Sequence, residues 1–391
     1  MTDLAIVVVG YDRPHSLSRL LDSLNRVAFD GRRVPLIISL DRSGNEAVTR
    51  VAESFTWNHG DKTVRTFPQR LGLKQHILTC GDLTRDFENL VVLEDDLYVS
   101  QNLYRFAVQA IEFYRDDDRV AGIALYTHLW NVACHRPFLP LDDPSDGFFM
   151  QYACSWGQIW SREKWRRFMD WHRQHDDDFH PDPAIPPYVA QWSDHSWLKH
   201  HIRYCIETGR FFLYPRVGLS TNFSDRGQHN AGQENGYQIP LQEPYAKAYR
   251  FPALDDSRAV YDAFFESMTL GEALGIDPGE LCVDLYGLKG NREGRRYWLT
   301  LEPAAFKILK SFDLAFRPQE ANILHGAPGE AIKLYDTSVR SASRVPFPGD
   351  LRDALVKYDV RNISYKDLLR YSLRFLAMRL KTKVARKGRP G

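Results

Sequence analysis

Asn89-Leu90-Val91-Val92-Leu93-Glu94-Asp95-Asp96-Leu97-Tyr98 is the stretch from which the fold of this chain can be worked out. Its short apolar run is typical of a strand that is buried on both faces of a sheet. Open α/β sheets bind ligands outside the carboxyl ends of their strands, where the three acidic side chains would lie. Adjacent carboxylates repel one another unless a cation offsets them, and hard oxygen ligands suit Mg²⁺ or Mn²⁺. The pattern therefore predicts a divalent-ion site, with a solvated acidic turn as the alternative.

Composition limits the class of protein. The chain has 391 residues, of which 43% are hydrophobic and 26% charged, as in an ordinary globular protein of two or three domains. A formal net charge of +1 gives no reason to expect nucleic acid as a partner. Five scattered cysteines favour a reducing compartment. No signal peptide precedes the first apolar strand, and no apolar run approaches the ~20 residues that span a bilayer. We therefore expect a cytoplasmic location.

Strands and helices alternate along the first part of the chain. Helices are predicted after Pro14, around 48–55 and from Leu103 to Tyr114, because apolar residues recur there every three or four positions. Strands are predicted at 5–9, 36–40, 63–67, from residue 89, and at 120–126. This alternation predicts an α/β fold with a mostly parallel, doubly wound sheet.

Two of the predicted strands end in polar side chains. The turn after the first strand, Gly10-Tyr11-Asp12-Arg13, lacks the GxGxxG pattern of dinucleotide dehydrogenases, and no GxxxxGK[ST] loop is present. Asp41 at the end of the second strand could accept a hydrogen bond from a nucleobase, and Arg13 could neutralise phosphate. The alternatives are a helix N-cap for Asp12 and a turn-forming role for Asp41.

Four stretches together resemble the GT-A glycosyltransferases, and among them the group around animal N-acetylglucosaminyltransferase I and its bacterial relatives. They are Asp12-Arg13, Ile37–Asp41, Val91–Leu97, which matches the Glu-Asp-Asp variant of the DxD motif, and Trp192–His195 at the place of the Trp-Asp-Asp catalytic loop. Ser193 replaces one aspartate of that loop, and the match around Lys74 and His76 is loose. The membrane anchor of the animal enzymes is absent, which favours the bacterial branch.

The resemblance implies a role for each site residue. Asp41 would contact the base and Arg13 the nucleotide, while Asp96 would bind the metal directly. Glu94 and Asp95 would meet the ribose, the sugar or metal-bound water. The resemblance also covers Asn222 and Gly227-Gln228-His229, so that His229 would touch the diphosphate or the metal. The remaining expected contacts of the nucleotide sugar are Gly10, Tyr11, Asp12 and Lys74.

The catalytic base implied by the resemblance is Asp194. A helix is predicted from Trp192 to His201, so the alternative for Asp194 is a helix cap. The aromatic segment from Phe148 to Trp160 predicts two strands or a strand and a turn under the acceptor, or simply core. A His- and Asp-rich stretch at 171–183 is a weaker candidate for a second metal site.

The chain divides into a GT-A domain at 1–240, an accessory region at 241–350 and a C-terminal helix and tail at 351–391. The first domain splits into a nucleotide half, 1–126, and an acceptor half, 127–240. A helix is also predicted at 258–275. Near the end, Leu369, Leu373, Leu376, Leu380 and Val384 share one helical face among many basic residues. Such a basic amphipathic helix indicates an anionic membrane surface; the alternative is a packed helix followed by a disordered basic end.

The function expected from these features is metal-dependent, inverting glycosyl transfer. A hexose or N-acetylhexosamine would pass from a nucleoside diphosphate sugar, by resemblance a UDP-sugar, to a hydroxyl of a glycan or lipid-linked acceptor. Bacterial surface polysaccharide synthesis would be the setting. One rival is a sugar nucleotidyltransferase, which normally has a glycine-rich basic loop that is missing after Val9. The other is a non-catalytic sugar-binding protein, which has no need for the acidic cluster.

Overall fold

A nine-stranded mixed sheet forms the centre of the molecule. The computed structural model describes residues 3–175, 179, 182–225, 235–341, 355–360 and 363–387. The strands of the central sheet are β1 Leu4–Gly10, β2 Leu36–Leu40, β3 Lys62–Thr66, β4 Asn89–Glu94, β6 Val120–Ala124, β9 Gly147–Met150, β10 Gln158–Ser161, β11 Phe211–Pro215 and β13 Val260–Tyr261. Two small ribbons pair β5 Leu97–Val99 with β12 Ser220–Asn222, and β7 Trp130–Asn131 with β8 Arg136–Pro137.

The helices that surround or follow this sheet are α1 Pro14–Leu24, α2 Glu46–Ser54, α3 Leu73–Gly81, α4 Leu103–Phe113, α5 Arg162–His175, α6 Pro187–Ala190, α7 Trp197–Glu207, α8 Leu270–Leu274, α9 Glu320–Leu324 and a C-terminal helix Tyr365–Lys387. Short 3-10 helices lie at Asp82–Arg85, Asn235–Tyr237 and Leu254–Asp256. Among the described residues, no helix combines the length and the apolar character that crossing a bilayer requires.

The strand order is β13-β9-β11-β6-β10-β4-β1-β2-β3. Neighbours β3, β2, β1 and β4 are all parallel, so their carboxyl ends share one edge of the sheet. β10 runs antiparallel between β4 and β6. The predicted α/β class with a mostly parallel sheet is therefore confirmed, and the inserted antiparallel strand is a feature that the sequence did not indicate.

β1 shows why helices cover both faces of the sheet. Leu4, Ile6 and Val8 pack into one hydrophobic core, to which α1, α2 and α4 contribute. The alternate residues of β1 pack into a second core, together with α3, α5 and α7. Because successive side chains of a strand point to opposite faces, a continuously apolar strand needs two such cores. The doubly wound arrangement follows directly.

A second sheet of four strands, which we call the accessory sheet, follows the central one. Its order is β14-β15-β17-β16, with β14 Leu281–Asp284, β15 Tyr297–Thr300, β16 Phe306–Phe312 and β17 Ile332–Arg340. α8 and α9 contribute to its separate hydrophobic core. The domain boundary at 240 remains a prediction, and the edge strand β13 of the central sheet comes from beyond it.

The helix predicted at 258–275 is wrong for most of its length. β13 occupies Val260–Tyr261, and the helical part of this range is α8, Leu270–Leu274. Between them, the Asp262 carboxylate accepts hydrogen bonds from the backbone N–H groups of Phe264 and Glu266. An aspartate that takes up the N–H groups of the residues after it favours a turn over a helix. The apolar residues of this segment are buried because they join the sheet, and not because they form a helical face.

Glu266 is a buried carboxyl between the two sheets. It is fully buried, and its Oε1 accepts a hydrogen bond of 2.7 Å from the backbone N–H of Tyr286. Its Oε2 has no hydrogen-bond partner among the described residues. Burial, and then the charge of Asp284, raise the pKa of Glu266 well above its ordinary value, although Lys289 lowers it. The folded state therefore holds a proton that the unfolded chain releases above its ordinary pKa of about 4.3.

We predict that this proton makes stability depend on pH. Because the folded state binds it more tightly, wild-type stability falls as pH rises above about 4.3, and Glu266→Gln removes that loss. The variant should have the higher Tm at pH 8 and converge with wild type near pH 4, with about 2–4 °C of difference per kcal/mol. Exposed Glu272→Gln serves as the matched control. Parallel Tm curves for wild type and Glu266→Gln would show that Glu266 is ionised in the fold.

Candidate active site

The acidic residues meet the end of β1 at the carboxyl edge of the sheet. Glu94 is the last residue of β4 and pairs with Val9 of β1. Asp95 and Asp96 follow in the turn that leads into β5. The backbone N–H of Tyr11 donates to Asp95 Oδ2 at 3.4 Å. A Cβ at Gly10 would come within 2.8 Å of Leu40 Cδ2, so a side chain at this position would force Leu40 to shift.

Arg13 bridges two of the three carboxylates. Its Nη1 donates to Asp96 Oδ2 at 2.9 Å, and its Nη2 donates to Asp95 Oδ1. Nη1 also approaches the backbone carbonyl of Asp225, at 3.4 Å. The side chains of Asp95 and Asp96 are only 4% and 12% exposed, so this guanidinium offsets charge that water reaches poorly. Part of the positive charge that adjacent carboxylates require therefore comes from the Arg13 side chain.

Burial shifts the acidity of Glu94 and Asp95. It raises the pKa of Glu94 to about 8, and the charge of Asp96 adds to the rise. Burial also raises the pKa of Asp95 to about 6, although Arg13 opposes the change. Burial lowers the pKa of Arg13, but Asp95 and Asp96 together raise it more, so the guanidinium stays protonated. The cluster would gain from a further positive charge.

The residues present fit a divalent ion bound together with a substrate. Asp96 Oδ1 is buried and has no hydrogen-bond partner among the described residues, which leaves a hard oxygen ligand unused. Among all the residues that the structure describes, no three His, Cys, Asp or Glu side chains lie close enough together to hold a metal ion. Mg²⁺ is usually held by one or two carboxylates plus substrate phosphates and water, so a protein cage is not required. His229, the other predicted metal ligand, lies outside the described residues.

Asp41 holds a loop. Its two oxygens accept hydrogen bonds from the backbone N–H groups of Leu71 at 2.8 Å and Gly72 at 2.9 Å. Oδ1 also accepts from the N–H of Arg42. These bonds tie the end of β2 to the start of α3, where Lys74 lies half-buried in the first turn. The predicted contact of Asp41 with a base stays a prediction, and its role in the loop is what the bonds show.

Residues around Tyr11 form the side of the site toward β2. The guanidinium of Arg70 lies 5.0 Å from the centre of the Tyr11 ring. Asp12 is exposed and accepts a hydrogen bond of 2.8 Å from Asn45 Nδ2. It does not cap α1, whose N-cap residue is Arg13 without a side-chain cap bond. The N-cap alternative for Asp12 is therefore wrong.

Asp194 lies in a turn before α7. The helix predicted from Trp192 begins only at Trp197, with Ser196 as its cap, because Ser196 accepts from the N–H of Lys199. The cap alternative for Asp194 is therefore wrong as well. Since α7 leads into β11, and β11 is parallel to β6, the turn lies at the carboxyl edge of the sheet. No described contact joins Asp194 to the acidic cluster, so its catalytic role stays a prediction.

A buried lysine pairs with Asp194. Lys199 Nζ donates to Asp194 Oδ1 at 2.8 Å and to the carbonyl of Trp192 at 3.1 Å. The lysine side chain is 2% exposed, whereas that of Asp194 is 96% exposed. The hydrogen bond and the charge of Lys199 hold the pKa of Asp194 below its ordinary value. Asp194 is thus fixed in its ionised form while it faces solvent.

Several site residues were missed by sequence reasoning. Asp225 accepts a hydrogen bond of 2.7 Å from Ser16 Oγ and forms an ion pair with Arg19. These contacts join α1 to the chain after β12. No local pattern marks a contact between residues 209 positions apart. Arg70 and Lys199 were missed for a related reason, since a single basic residue in a loop or helix has no distinctive spacing.

Comparisons with known proteins were made for the sequence and for the fold. No protein-family model matches the sequence, and no curated protein sequence matches it. Among solved structures, residues 1–349 of S. aureus TarS match 56% of this chain and 59% of that one, at 11% identity and a TM-score of 0.37. The mannosyltransferase PcManGT from Pyrobaculum calidifontis, with GDP-Man and Mn²⁺, matches 58% and 59%, at 14% and 0.37.

GalNAc-T7 with UDP, GalNAc and Mn²⁺ is a third similar structure. It matches 61% of this chain and 45% of its own, at 13% identity and a TM-score of 0.41. The chain thus spans less than two thirds of each of these three structures. Likeness of this strength carries no functional argument, so the function has to be argued from the side chains of the site.

Proposed function

We propose that the chain is a metal-dependent, inverting GT-A glycosyltransferase. It would transfer a hexose or N-acetylhexosamine from a nucleoside diphosphate sugar, with UDP as the favoured nucleotide, to a hydroxyl of a glycan or lipid-linked acceptor. The observation that carries the proposal is the buried Oδ1 of Asp96, for which the described residues offer no hydrogen-bond partner. It lies beside Arg13 and Asp95, where the carboxyl ends of β1 and β4 meet. A buried acidic cluster that is short of positive charge suits a diphosphate that arrives with its own cation.

The acidic cluster divides the work with Arg13. Asp96 would hold Mn²⁺ or Mg²⁺, which supplies charge stabilisation to the leaving diphosphate when bound. Arg13 is the protonated group next to that position, and its planar fork can bind phosphate oxygens once it exchanges them for Asp95 or Asp96. Donors that are already fixed at the developing charge are the usual source of such stabilisation.

The nucleoside would lie toward β2. Tyr11 and Arg70 offer an aromatic ring and a guanidinium plane on this side, and both can pack on a base. Asp41 fixes the loop that begins α3, which brings Lys74 to the same edge. His76 is buried with a ring nitrogen 2.8 Å from Ser39 Oγ, and burial lowers its pKa to about 4, so it stays neutral. These contacts make a side-chain site for a nucleotide without a glycine-rich loop.

Asp194 would act as the base. An inverting transfer needs one carboxylate to take the proton of the acceptor hydroxyl while that oxygen attacks the anomeric carbon. Lys199 keeps Asp194 ionised and orients it by donating to Oδ1. The Asp194 side chain is otherwise exposed, so Oδ2 remains open to an acceptor. The acidic cluster serves the diphosphate, so the two sets of carboxylates have separate roles.

Two rivals make different products or none. A sugar nucleotidyltransferase would release pyrophosphate from a nucleoside triphosphate, whereas the proposed enzyme releases a nucleoside diphosphate from its donor. A non-catalytic sugar-binding protein would release neither. A single assay of both products, with nucleotide sugars and with nucleoside triphosphates, separates the three.

The first test removes the metal ligand. We expect Asp96→Asn to abolish Mn²⁺-dependent binding of UDP and of UDP-sugars, because it removes the charge of the carboxylate whose buried Oδ1 has no hydrogen-bond partner among the described residues. Isothermal titration calorimetry with and without Mn²⁺ measures the loss. Asp86→Asn is the matched control, since Asp86 is exposed just before the other end of β4. Unchanged Mn²⁺ and UDP affinity in Asp96→Asn would remove this residue from the site.

The second test concerns the base. Asp194→Asn should leave donor and Mn²⁺ affinity near wild type while kcat falls by about 10²–10⁴. Release of UDP by transfer of the sugar to water measures kcat without a known acceptor. Asp182→Asn, which changes an exposed residue before α6, is the control and should keep full turnover. Retention of more than about a tenth of wild-type kcat in Asp194→Asn would exclude it as the base.

An anionic membrane surface is the second proposed partner. Leu369, Leu373 and Leu376 on the C-terminal helix are 62%, 58% and 56% exposed. From residue 365 onward the sequence carries nine Lys or Arg and a single Asp. Exposed apolar residues among basic ones suit the interface of an anionic bilayer, where each basic residue contributes about 1 kcal/mol. The helix would hold the enzyme where a lipid-linked acceptor is found.

Vesicle binding tests this partner. The protein should co-sediment with phosphatidylglycerol vesicles at low salt, and less so at high salt or with phosphatidylcholine. Leu373→Asp should weaken the binding by roughly tenfold or more, because one buried leucine is worth about 1.5–3 kcal/mol. Ile308→Asp is the matched control, since Ile308 is 40% exposed on the accessory sheet. Equal binding of Leu373→Asp and wild type would rule out insertion of this helix.

A further inference from the structure

Trp156 lies at the same edge of the sheet as the acidic cluster. It precedes β10, in which Gln158 pairs with Val92 of β4 and with Ala124 of β6. Because β10 is antiparallel to both neighbours, each step back along it is a step forward along β4 and β6. Two steps back from Gln158 bring Trp156 level with Glu94 and Tyr126. On the side of β4 away from β1, the residue next to Glu94 at the end of the sheet is therefore Trp156.

The backbone around Trp156 is firmly held. Gly157 has a φ of +90°, and a Cβ there would come within 3.2 Å of Leu93 and Leu125. The Gly157 carbonyl accepts from the N–H of Leu125 at 2.9 Å. The Trp156 carbonyl accepts from Ser220 Oγ at 2.5 Å. The loop therefore presents its tryptophan in one fixed place, which a binding surface requires.

The indole ring of Trp156 spans the end of the sheet. It is half-buried and packs against both hydrophobic cores, which lie on opposite faces. Its ring centre lies 4.6 Å from that of Tyr126 and 4.8 Å from that of Tyr237. The Tyr126 hydroxyl donates to the Tyr237 carbonyl at 3.1 Å, so these rings form one connected group. We call Trp156, Tyr126 and Tyr237 the aromatic platform.

The order of strands gives the platform its position relative to a bound donor. Along the carboxyl edge the sequence of strands is β2, β1, β4, β10 and β6. Asp41 and Tyr11 follow β2 and β1, and the acidic cluster lies at the end of β4. In the platform, Trp156 precedes the antiparallel strand β10 and Tyr126 follows β6. Neighbouring strands are about 4.8 Å apart, so the platform begins one strand beyond the cluster. A nucleoside over β1 and β2 with its diphosphate at β4 directs the attached sugar toward β10.

We propose that the aromatic platform binds the pyranose ring of the donor sugar through the half-buried rings of Trp156 and Tyr237, while Tyr126, which is only 3% exposed, supports the Trp156 ring. One face of a pyranose is lined with C–H groups, which pack favourably on the electron-rich face of an indole or phenol ring. Hydroxyls at the rim of the sugar remain free for polar contacts that choose between sugars. This inference rests on the proposed function and adds the residues that would bind the transferred sugar.

The experiment separates the sugar from the nucleotide. Dissociation constants for UDP and for a panel of UDP-hexoses and UDP-N-acetylhexosamines are measured by calorimetry with Mn²⁺. Wild type should bind at least one UDP-sugar more tightly than UDP. Trp156→Leu should raise the Kd of that UDP-sugar about tenfold and leave the Kd of UDP within about twofold, since it removes the π face and keeps apolar volume. Trp156→Phe, which keeps an aromatic face, should retain most of the difference.

Controls make the outcomes distinct. Trp298→Leu replaces a half-buried tryptophan of the accessory sheet and should change neither Kd. Thermal unfolding confirms that each variant is folded, and Tyr237→Leu, which removes the other half-buried ring of the platform, replaces Trp156→Leu if that variant does not fold. Equal losses for UDP and UDP-sugar, no loss for either, or equal wild-type affinities for UDP and every UDP-sugar would overturn the platform. Absence of Mn²⁺-dependent binding of any of these ligands by wild type would overturn the proposed function itself.

Discussion

The ion pairs of Arg13 with Asp95 and Asp96 are the interaction on which the rest of the site depends. Three consecutive acidic residues at the end of a buried strand would be costly without a positive charge nearby, because burial disfavours the ionised forms of Glu94 and Asp95. Arg13 reaches two of them from the start of α1. The backbone N–H of Phe223 bonds the carbonyl of Asp96 at 3.0 Å, so β12 joins the same structure. One guanidinium thus connects β1, β4 and the chain that follows β12.

That connection has a chemical meaning as well as a structural one. An arginine that neutralises carboxylates in the free protein can turn to phosphate when a cation takes over those carboxylates. The site would then exchange one set of ion pairs for another, and would not need to bury new charge without compensation. Burial raises the pKa values of Glu94 and Asp95, so these two carboxyls resist ionisation in the free cluster.

Much of the fold could be predicted because its signals are local. The apolar run of β4, the alternating helices and the polar strand ends each lie within about ten residues, and the strands from β1 to β4 appear where they were expected. Pairings between distant segments could not be predicted. The insertion of β10 beside β4 and the bonds of Asp225 to Ser16 join residues far apart in sequence.

The same reason explains the errors. Ser193 and Ser196 take backbone N–H groups before α7, and Asp262 does so after β13, in segments whose apolar content had suggested helix. In the candidate site, Asp96 was recognisable from its motif, whereas Lys199 and the position of Trp156 follow only from packing. The role of Asp41 in holding the loop before α3 could not be predicted from sequence, since a turn and a ligand contact use the same residue type.

The antiparallel strand β10 also constrains how the chain reaches its native state. β4 and β6 are separated in the sheet until residues 158–161 arrive between them. During synthesis the first four parallel strands can assemble, but the apolar edge of β4 has no partner for another sixty or so residues. An unpaired apolar edge invites association with other chains, and distant pairing slows folding. A fragment that stops at residue 126 would lack β10, so the edge of β4 that β10 covers would have lost its native partner.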